Sequence, residues 1–125
     1  MSKTMLEILA GDLAKNYPDE SQDAEVYQAK LLREVDRGSK LYRQGDTLFL
    51  VHDDEWHSCH GGSGQELLEA CIAFLQQLKD EGVKHIFTRY DNPKVSLLGE
   101  RLPFKATVAQ INEGKYKTFK LSVEL

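Results

Sequence analysis

Midway along the chain, residues 59–68 read Cys-His-Gly-Gly-Ser-Gly-Gln-Glu-Leu-Leu, a glycine-rich turn that leads directly into an amphipathic helix. Glycine lets the backbone approach an anion closely, and the first turn of a helix offers unpaired N–H groups at the positive end of its dipole. The segment before the turn is strand-like. The sequence therefore predicts a strand, a loop shaped to hold a phosphate group, and a helix, in that order.

The segments around this loop predict one βαβ unit. Apolar residues recur at helical spacing over residues 65–81, with charged residues opposite, and Gly82 is suited to end that helix. Residues 84–90 then read as a strand. We therefore expect residues 49–54 to pair in parallel with residues 84–90 and to diverge from them at the loop end, so that a groove opens between the two strands.

The remaining segments predict helices and hairpins. Asn92-Pro93 supplies an N-cap and a first-turn proline for a short helix that runs to about Leu102, and Pro103 ends it. Two strands, residues 104–111 and 116–123, flank a turn at residues 112–115. At the other end, residues 4–15 and 23–35 have helical periodicity, and residues 40–43 and 47–52 predict a hairpin around a Gln-Gly-Asp turn.

Composition indicates one domain of ordinary core size. The chain has 125 residues, of which 41% are hydrophobic and 29% charged. We expect residues 1–37 to form two helices and residues 38–125 the sheet and the loop region. The net charge of −4 argues against nucleic-acid or anionic-membrane partners. Without an apolar run near 18 residues or a signal peptide, a cytoplasmic location is expected.

Residues 59–125 resemble the C-terminal half of the GNAT superfamily, the acetyl-CoA-dependent N-acetyltransferases. The central motif of that family is Arg or Gln, two residues, Gly, one residue, then Gly or Ala, with a Leu-Leu pair in the following helix. Gly62, Gly64 and Leu67-Leu68 match this motif. The second matching block is Asn92-Pro93 followed by Leu98-Gly99-Glu100-Arg101-Leu102-Pro103-Phe104.

The resemblance implies an α/β fold with a mixed, mostly antiparallel central sheet, a splayed parallel strand pair, and helices on both faces. It implies acetyl-CoA as cosubstrate and acetyl transfer to an amine of a small molecule or a protein. Asp54 or Glu55 would be the base, and Asn92 would bond the pantetheine arm or the acceptor. The cofactor pyrophosphate would be held by four backbone N–H groups, those of Gly62, Ser63, Gly64 and Gln65.

Three departures from the family pattern favour a second hypothesis. Cys59 replaces the opening Arg or Gln, and Gly99 replaces the tyrosine that serves as general acid. The chain also opens with helices and has a hairpin where the family commonly has three strands. The alternative is a catalytically silent GNAT-like module with protein partners. Internal virion or adaptor proteins of tailed bacteriophages are loosely similar, and a virion location would then apply.

The segment before the loop allows further interpretations. Residues 52–60 hold three of the four histidines, all possible zinc ligands, but their spacing matches no closed metal framework. Trp56 is interpreted as a packing residue rather than the wall of a groove. At a helix N-terminus the pKa of the Cys59 thiol would fall, and a nucleophilic Cys59 would need His57 or His60 as its base.

Overall fold

The computed structural model describes residues 2–19, 23–112 and 117–125. Within them the chain forms four helices and six strands. In chain order these are α1 (Met5–Asn16), α2 (Ala24–Asp36), β1 (Lys40–Gln44), β2 (Thr47–His52), β3 (Glu55–Cys59), α3 (Gly64–Asp80), β4 (His85–Tyr90), α4 (Val95–Arg101), β5 (Lys105–Gln110) and β6 (Phe119–Glu124). Most of the predicted turn at residues 112–115, and Tyr116 after it, lie outside the described residues.

The six strands form one mixed sheet in the order β1-β2-β3-β4-β6-β5. Among the described residues β3 and β4 are the parallel pair, and every other neighbouring pair is antiparallel. Helix α3 connects β3 to β4, as a parallel crossover requires. This arrangement confirms the predicted fold class.

The strand beside β4 differs from the one predicted. Residues 49–54 belong mostly to β2, and β3 separates β2 from β4, so the predicted pairing of residues 49–54 with residues 84–90 is wrong. Asp53 has a φ of 54° and turns the chain back between β2 and β3. Aspartate tolerates this left-handed conformation better than most residues. The predicted two-stranded hairpin is therefore a three-stranded meander, β1-β2-β3.

Helices cover both faces of the sheet because β2 and β3 alternate their apolar side chains between the faces. On one face Phe49 and Trp56 pack against Phe74 of α3, with ring centroids 4.2 and 6.1 Å from that of Phe74. On the other face Leu48 and Cys59 pack against α1 and α2. All five of these side chains are buried.

The two N-terminal helices begin where the sequence predicts. Thr4 and Glu7 form a reciprocal capping box at the start of α1, and the Asp23 side chain accepts from the backbone N–H of Glu25 at the start of α2. Both helices pack on each other and on the side of the sheet that holds Leu48. They thereby place α1 against the loop that follows β3.

Within residues 2–19, 23–112 and 117–125, no helix has the length and apolar character needed to cross a membrane.

Candidate functional site

The glycine-rich loop joins β3 to α3 and presents unpaired backbone donors. Helix α3 begins at Gly64, and the Ser63 side chain caps it by accepting from the N–H of Glu66 at 3.2 Å. The N–H groups of Gly62, Ser63, Gly64 and Gln65 donate to no acceptor among the described residues. Four donors at a helix N-terminus can hold an anion, as the phosphate-loop prediction requires.

Helix α1 holds this loop from behind. The carboxylate of Asp12 accepts from the N–H of His60 at 3.2 Å, and the Asn16 side chain donates to the carbonyl of His60 at 3.1 Å. The Lys15 ammonium donates to the carbonyl of Gly62. These bonds fix the loop carbonyls toward α1 and place a cation beside the unpaired N–H groups.

In this loop glycine allows close packing of the backbone and is not required by a positive φ angle. The glycines with positive φ lie elsewhere, at Gly38, Gly45 and Gly82. A Cβ atom on Gly61 would lie 2.8 Å from the backbone carbonyl carbon of Gly11 in α1. Gly61 is therefore needed for the contact between the loop and α1.

The Glu66 side chain folds back over the loop. A Cβ atom on Gly62 would meet the Glu66 carboxylate oxygen at 2.2 Å, whereas a Cβ atom on Gly64 would meet nothing within 4 Å. The Glu66 carboxylate thus lies at the N-terminus of α3, where its negative charge is favourable. A bound anion has to displace it, and the ammonium of Lys15 is placed to neutralise part of the added charge.

The described ladder between β3 and β4 is short, and the stretch between its end and the glycine-rich loop is called the groove below. In the described ladder Glu55 pairs with Phe87, the N–H of Phe87 donates to the carbonyl of Asp54 at 2.8 Å, and the Thr88 hydroxyl donates to the carbonyl of Trp56 at 2.8 Å. The registered pairing extends no further toward Cys59. Since the two strands are parallel, the stretch without registered pairing lies at the end that carries the glycine loop.

The two predicted bases lie at the closed end of this groove. The Glu55 carboxylate accepts hydrogen bonds from Nε and Nη2 of Arg89, at 2.6 and 2.9 Å. This pairing raises the pKa of Arg89. Asp54 lies in the turn before β3, with its carboxylate 3.4 Å from His85. From Glu55 to the end of β3 the strand spans about 13 Å. The structure therefore does not bring Asp54 and Glu55 together with the unpaired N–H groups of residues 62–65.

Asn92 follows β4 and so lies at the same end of the sheet as the glycine loop. Its side-chain oxygen accepts from the N–H of Lys94 at 3.0 Å, within a turn that precedes α4. Helix α4 begins later than predicted, at Val95, with Lys94 at its N-cap. Asn92 is exposed.

Gly99 does not occupy the position of a general acid. A Cβ atom there would lie 2.8 Å from a methyl carbon of Leu121 and 3.7 Å from one of Val108, both on the sheet. A side chain at position 99 would therefore point into the core beneath α4. Tyr90 is the phenol at the open end of the groove, and its hydroxyl lies 2.9 Å from that of Ser96.

A polar cluster that the sequence did not predict lies on the opposite face, at the groove. The Tyr27 hydroxyl lies 3.3 Å from the Asp12 carboxylate, 3.3 Å from Nε2 of His57 and 3.2 Å from Sγ of Cys59. Asp12 is only 2% exposed, whereas His57 is exposed. His57 is the first residue beyond the Trp56–Thr88 contact that closes the groove.

The cluster has a preferred arrangement of protons. Tyr27 donates best to the buried Asp12 carboxylate, because a hydrogen bond to an ionised acceptor is the stronger one. The Tyr27 oxygen then accepts from Nε2–H of His57, which leaves Nδ1 of His57 as the basic nitrogen. Burial also raises the pKa of the Tyr27 phenol, so this hydroxyl keeps its proton.

The thiol of Cys59 is not activated. Burial raises its pKa to about 12, against the lowering predicted for a cysteine at a helix N-terminus. Its side chain points into the core between α1, α2 and the sheet, away from the N-terminus of α3. This burial argues against a nucleophilic role for Cys59, the alternative that the sequence did not favour.

The structure also tests the interpretation of Trp56. Trp56 is 3% exposed and packs on Phe74, so its interpretation as a packing residue is confirmed. The part of the chain that the structure describes contains no group of three or more His, Cys, Asp or Glu residues that could hold a metal ion.

No protein-family model matches the chain, and no curated protein matches it. What the site does therefore follows from its geometry.

Proposed function

We propose that this chain is a GNAT-like N-acetyltransferase that uses acetyl-CoA to acetylate an amine. The observation that carries the proposal is the parallel pair β3–β4, whose registered pairing ends before the loop in which four backbone N–H groups have no acceptor among the described residues. Such a groove offers unpaired strand backbone to the amides of a pantetheine arm. The N-terminus of α3 supplies donors for a pyrophosphate.

Starting from an alkylammonium ion, the nitrogen loses one proton before it attacks and a second as the amide forms, the leaving thiolate gains one, and one proton is released to solvent. An alkyl amine is mostly protonated at neutral pH, so it must lose a proton before its nitrogen attacks the thioester carbonyl. The carbon–sulfur bond then breaks, the acetyl group stays on nitrogen, and the thiolate leaves and takes a proton. A positioned base or acid contributes about 10²–10⁴-fold each.

His57 is the better-placed base. It lies where the groove opens, and its Nδ1 is basic if Tyr27 donates to Asp12. Asp54 and Glu55 lie at the closed end, and Glu55 is neutralised by Arg89. We assign the return of a proton to the leaving thiolate to the phenol of Tyr90, the last residue of β4.

Titration calorimetry with acetyl-CoA and with free CoA tests the cofactor site. We expect micromolar binding by the native chain. Gly64→Val should abolish this binding while the domain stays folded, because the side chain enters open space in front of the donors. Binding that is absent at millimolar CoA, or unchanged in Gly64→Val, would refute the phosphate-binding loop.

The rival function is the catalytically silent module. It is favoured by the ion pair with Arg89 that holds the Glu55 carboxylate. The two functions differ in one measurement, the release of CoA from acetyl-CoA with a panel of amines. Release above the uncatalysed rate establishes the enzyme, and its absence in a chain that binds CoA establishes the module. The transferase would have a cytoplasmic location, and the silent module, if the chain is phage-encoded, a virion location.

A further inference from the structure

A second cleft, of about 360 Å³, lies between α2 and the sheet on the face that carries His57. Small-molecule sites commonly have volumes of about 300–1,000 Å³. Its floor is apolar and is formed by Leu31 of α2 and Leu50 of β2. Tyr27 and His57, which are hydrogen-bonded to each other, close one end of it. The imidazole of His57, which is assigned as the base above, therefore lines this cleft.

The charged side chains of this cleft that have no ion-pair partner among the described residues are positive. Three charged side chains of α2 and that of its C-cap residue, Arg37, line it, and Glu34 and Arg37 neutralise each other in an ion pair of 3.3 Å. Lys30 and Arg33 form no ion pair or hydrogen bond with the residues that the structure describes. Two free cations beside an apolar floor attract an anion, even though the whole chain has a net charge of −4.

The spacing of these groups defines the ligand. The rise of a helix is about 1.5 Å per residue, so Lys30 and Arg33 follow Tyr27 by about 4.5 and 9 Å along the axis of α2. A ligand with an amine at His57 reaches these cations only if several bonds separate its amine from its anionic group. Leu31 and Leu50 would contact the apolar segment between the two ends.

We propose that this cleft binds the acceptor, and that the acceptor is an amine joined by an apolar chain to an anionic group that pairs with Lys30 and Arg33. The proposal rests on the proposed acetyl transfer, since it names the substrate class of that reaction. The amine loses its proton to His57 and gains the acetyl group of acetyl-CoA, and the CoA thiolate takes up a proton. The anionic group takes no part in the chemistry.

The test compares 6-aminohexanoate with 6-aminohexanamide, which lacks the charge. Binding is measured without acetyl-CoA, from the methyl NMR signals of Leu31 and Leu50 during titration. We expect the acid to bind about tenfold more tightly than the amide, as a charge-assisted hydrogen bond predicts. The double variant Lys30→Gln and Arg33→Gln should lose this preference. The control is Lys79→Gln, on α3 at the other face of the sheet, which should keep it.

Turnover separates failure of the cleft from failure of acetyl transfer. With acetyl-CoA, the double variant should raise KM for 6-aminohexanoate about tenfold and leave kcat within about twofold. If the acid and the amide bind equally to the native chain, the cleft proposal is overturned, whether or not other amines are acetylated. If the acid binds through Lys30 and Arg33 but no amine is acetylated, the cleft is a ligand site and the proposed transferase function is wrong.

Discussion

Cys59 shows how the position of one residue can mislead a prediction from sequence. Its place just before a helix suggests a reactive thiolate, yet its side chain is fully buried and faces α1 and α2. Desolvation disfavours the charged form, and it raises the pKa of both cysteine thiols, Cys59 and Cys71, to about 12. The direction of the side chain, which the sequence does not contain, decides the chemistry.

We expect both cysteines to resist alkylation in the folded chain. At pH 8 iodoacetamide needs the thiolate and physical access, and neither Cys59 nor Cys71 offers them. Mass spectrometry should find little modification in native buffer and two adducts in strong urea. Rapid labelling of Cys59 under native conditions would contradict its burial. The labelling experiment also shows whether a thiol reagent can measure CoA release without reacting with the cysteines of the chain.

His60 gives the fold a dependence on acid pH. Burial and the nearby Lys15 lower the pKa of this imidazole below the ordinary value of 6.5. As the pH falls below 6.5, the unfolded chain binds a proton that the folded chain excludes, so stability declines toward the lowered pKa. Above pH 6.5 both states are neutral at this position, and the full stability is present.

Urea unfolding at pH 7.5 and at pH 5.5 measures this effect. We expect the native chain to lose stability over this interval, and His60→Gln to lose less because its amide does not titrate. An equal loss in both proteins would show that groups other than His60 cause the dependence.

At the level of elements, α1 and the glycine loop form one unit through Gly61 and Gly11. Gly61→Ala places a methyl group 2.8 Å from the backbone of α1, and overpacking of this kind costs about 1–3 kcal/mol. Gly64→Ala is the matched control, since its methyl group meets nothing within 4 Å and alanine restricts the unfolded chain. Chemical unfolding should rank Gly61→Ala well below the native chain and Gly64→Ala at or above it. Equal stabilities would mean that the loop does not depend on close contact with α1.

Local patterns in the sequence predicted most of the elements, because periodicity and capping residues act within a few positions of each other. The helices α1, α2 and α3 and the strands β1, β2 and β4 lie close to their predicted bounds. The division of β2 from β3 was missed, since Asp53-Asp54 lies inside a run that alternates like one strand. That one turn changed which strand neighbours β4 and moved Asp54 and Glu55 to the closed end of the groove.

The candidate site likewise has a part that local sequence patterns predict and a part that they do not. The unpaired donors of residues 62–65 follow from a local motif, and the sequence predicted them. The Asp12–Tyr27–His57 cluster joins two helices to a strand across 15 to 30 residues of chain. One signal was present: Asp12 is a carboxylate on the apolar stripe of α1, beside Ile8, Leu9 and Leu13. A buried acid of this kind needs partners, although its position does not reveal which ones.

At the scale of the whole molecule, the identity of the general base shows at which end of the groove the acetyl transfer occurs. If acetyl transfer occurs, His57→Gln should lower kcat by about 10²–10⁴-fold, the usual contribution of general base catalysis, while acetyl-CoA affinity stays unchanged. Glu55→Gln should lower kcat less than about tenfold, because the native carboxylate is held by Arg89 at 2.6 Å, far from the phosphate-binding donors. Tyr27→Phe should have an intermediate effect, since it removes the acceptor that orients His57 but keeps the imidazole. Steady-state kinetics with one amine, together with unfolding curves for each variant, measure all three effects. A large loss in Glu55→Gln with full activity in His57→Gln would place the chemistry at the closed end and overturn the assignment of His57.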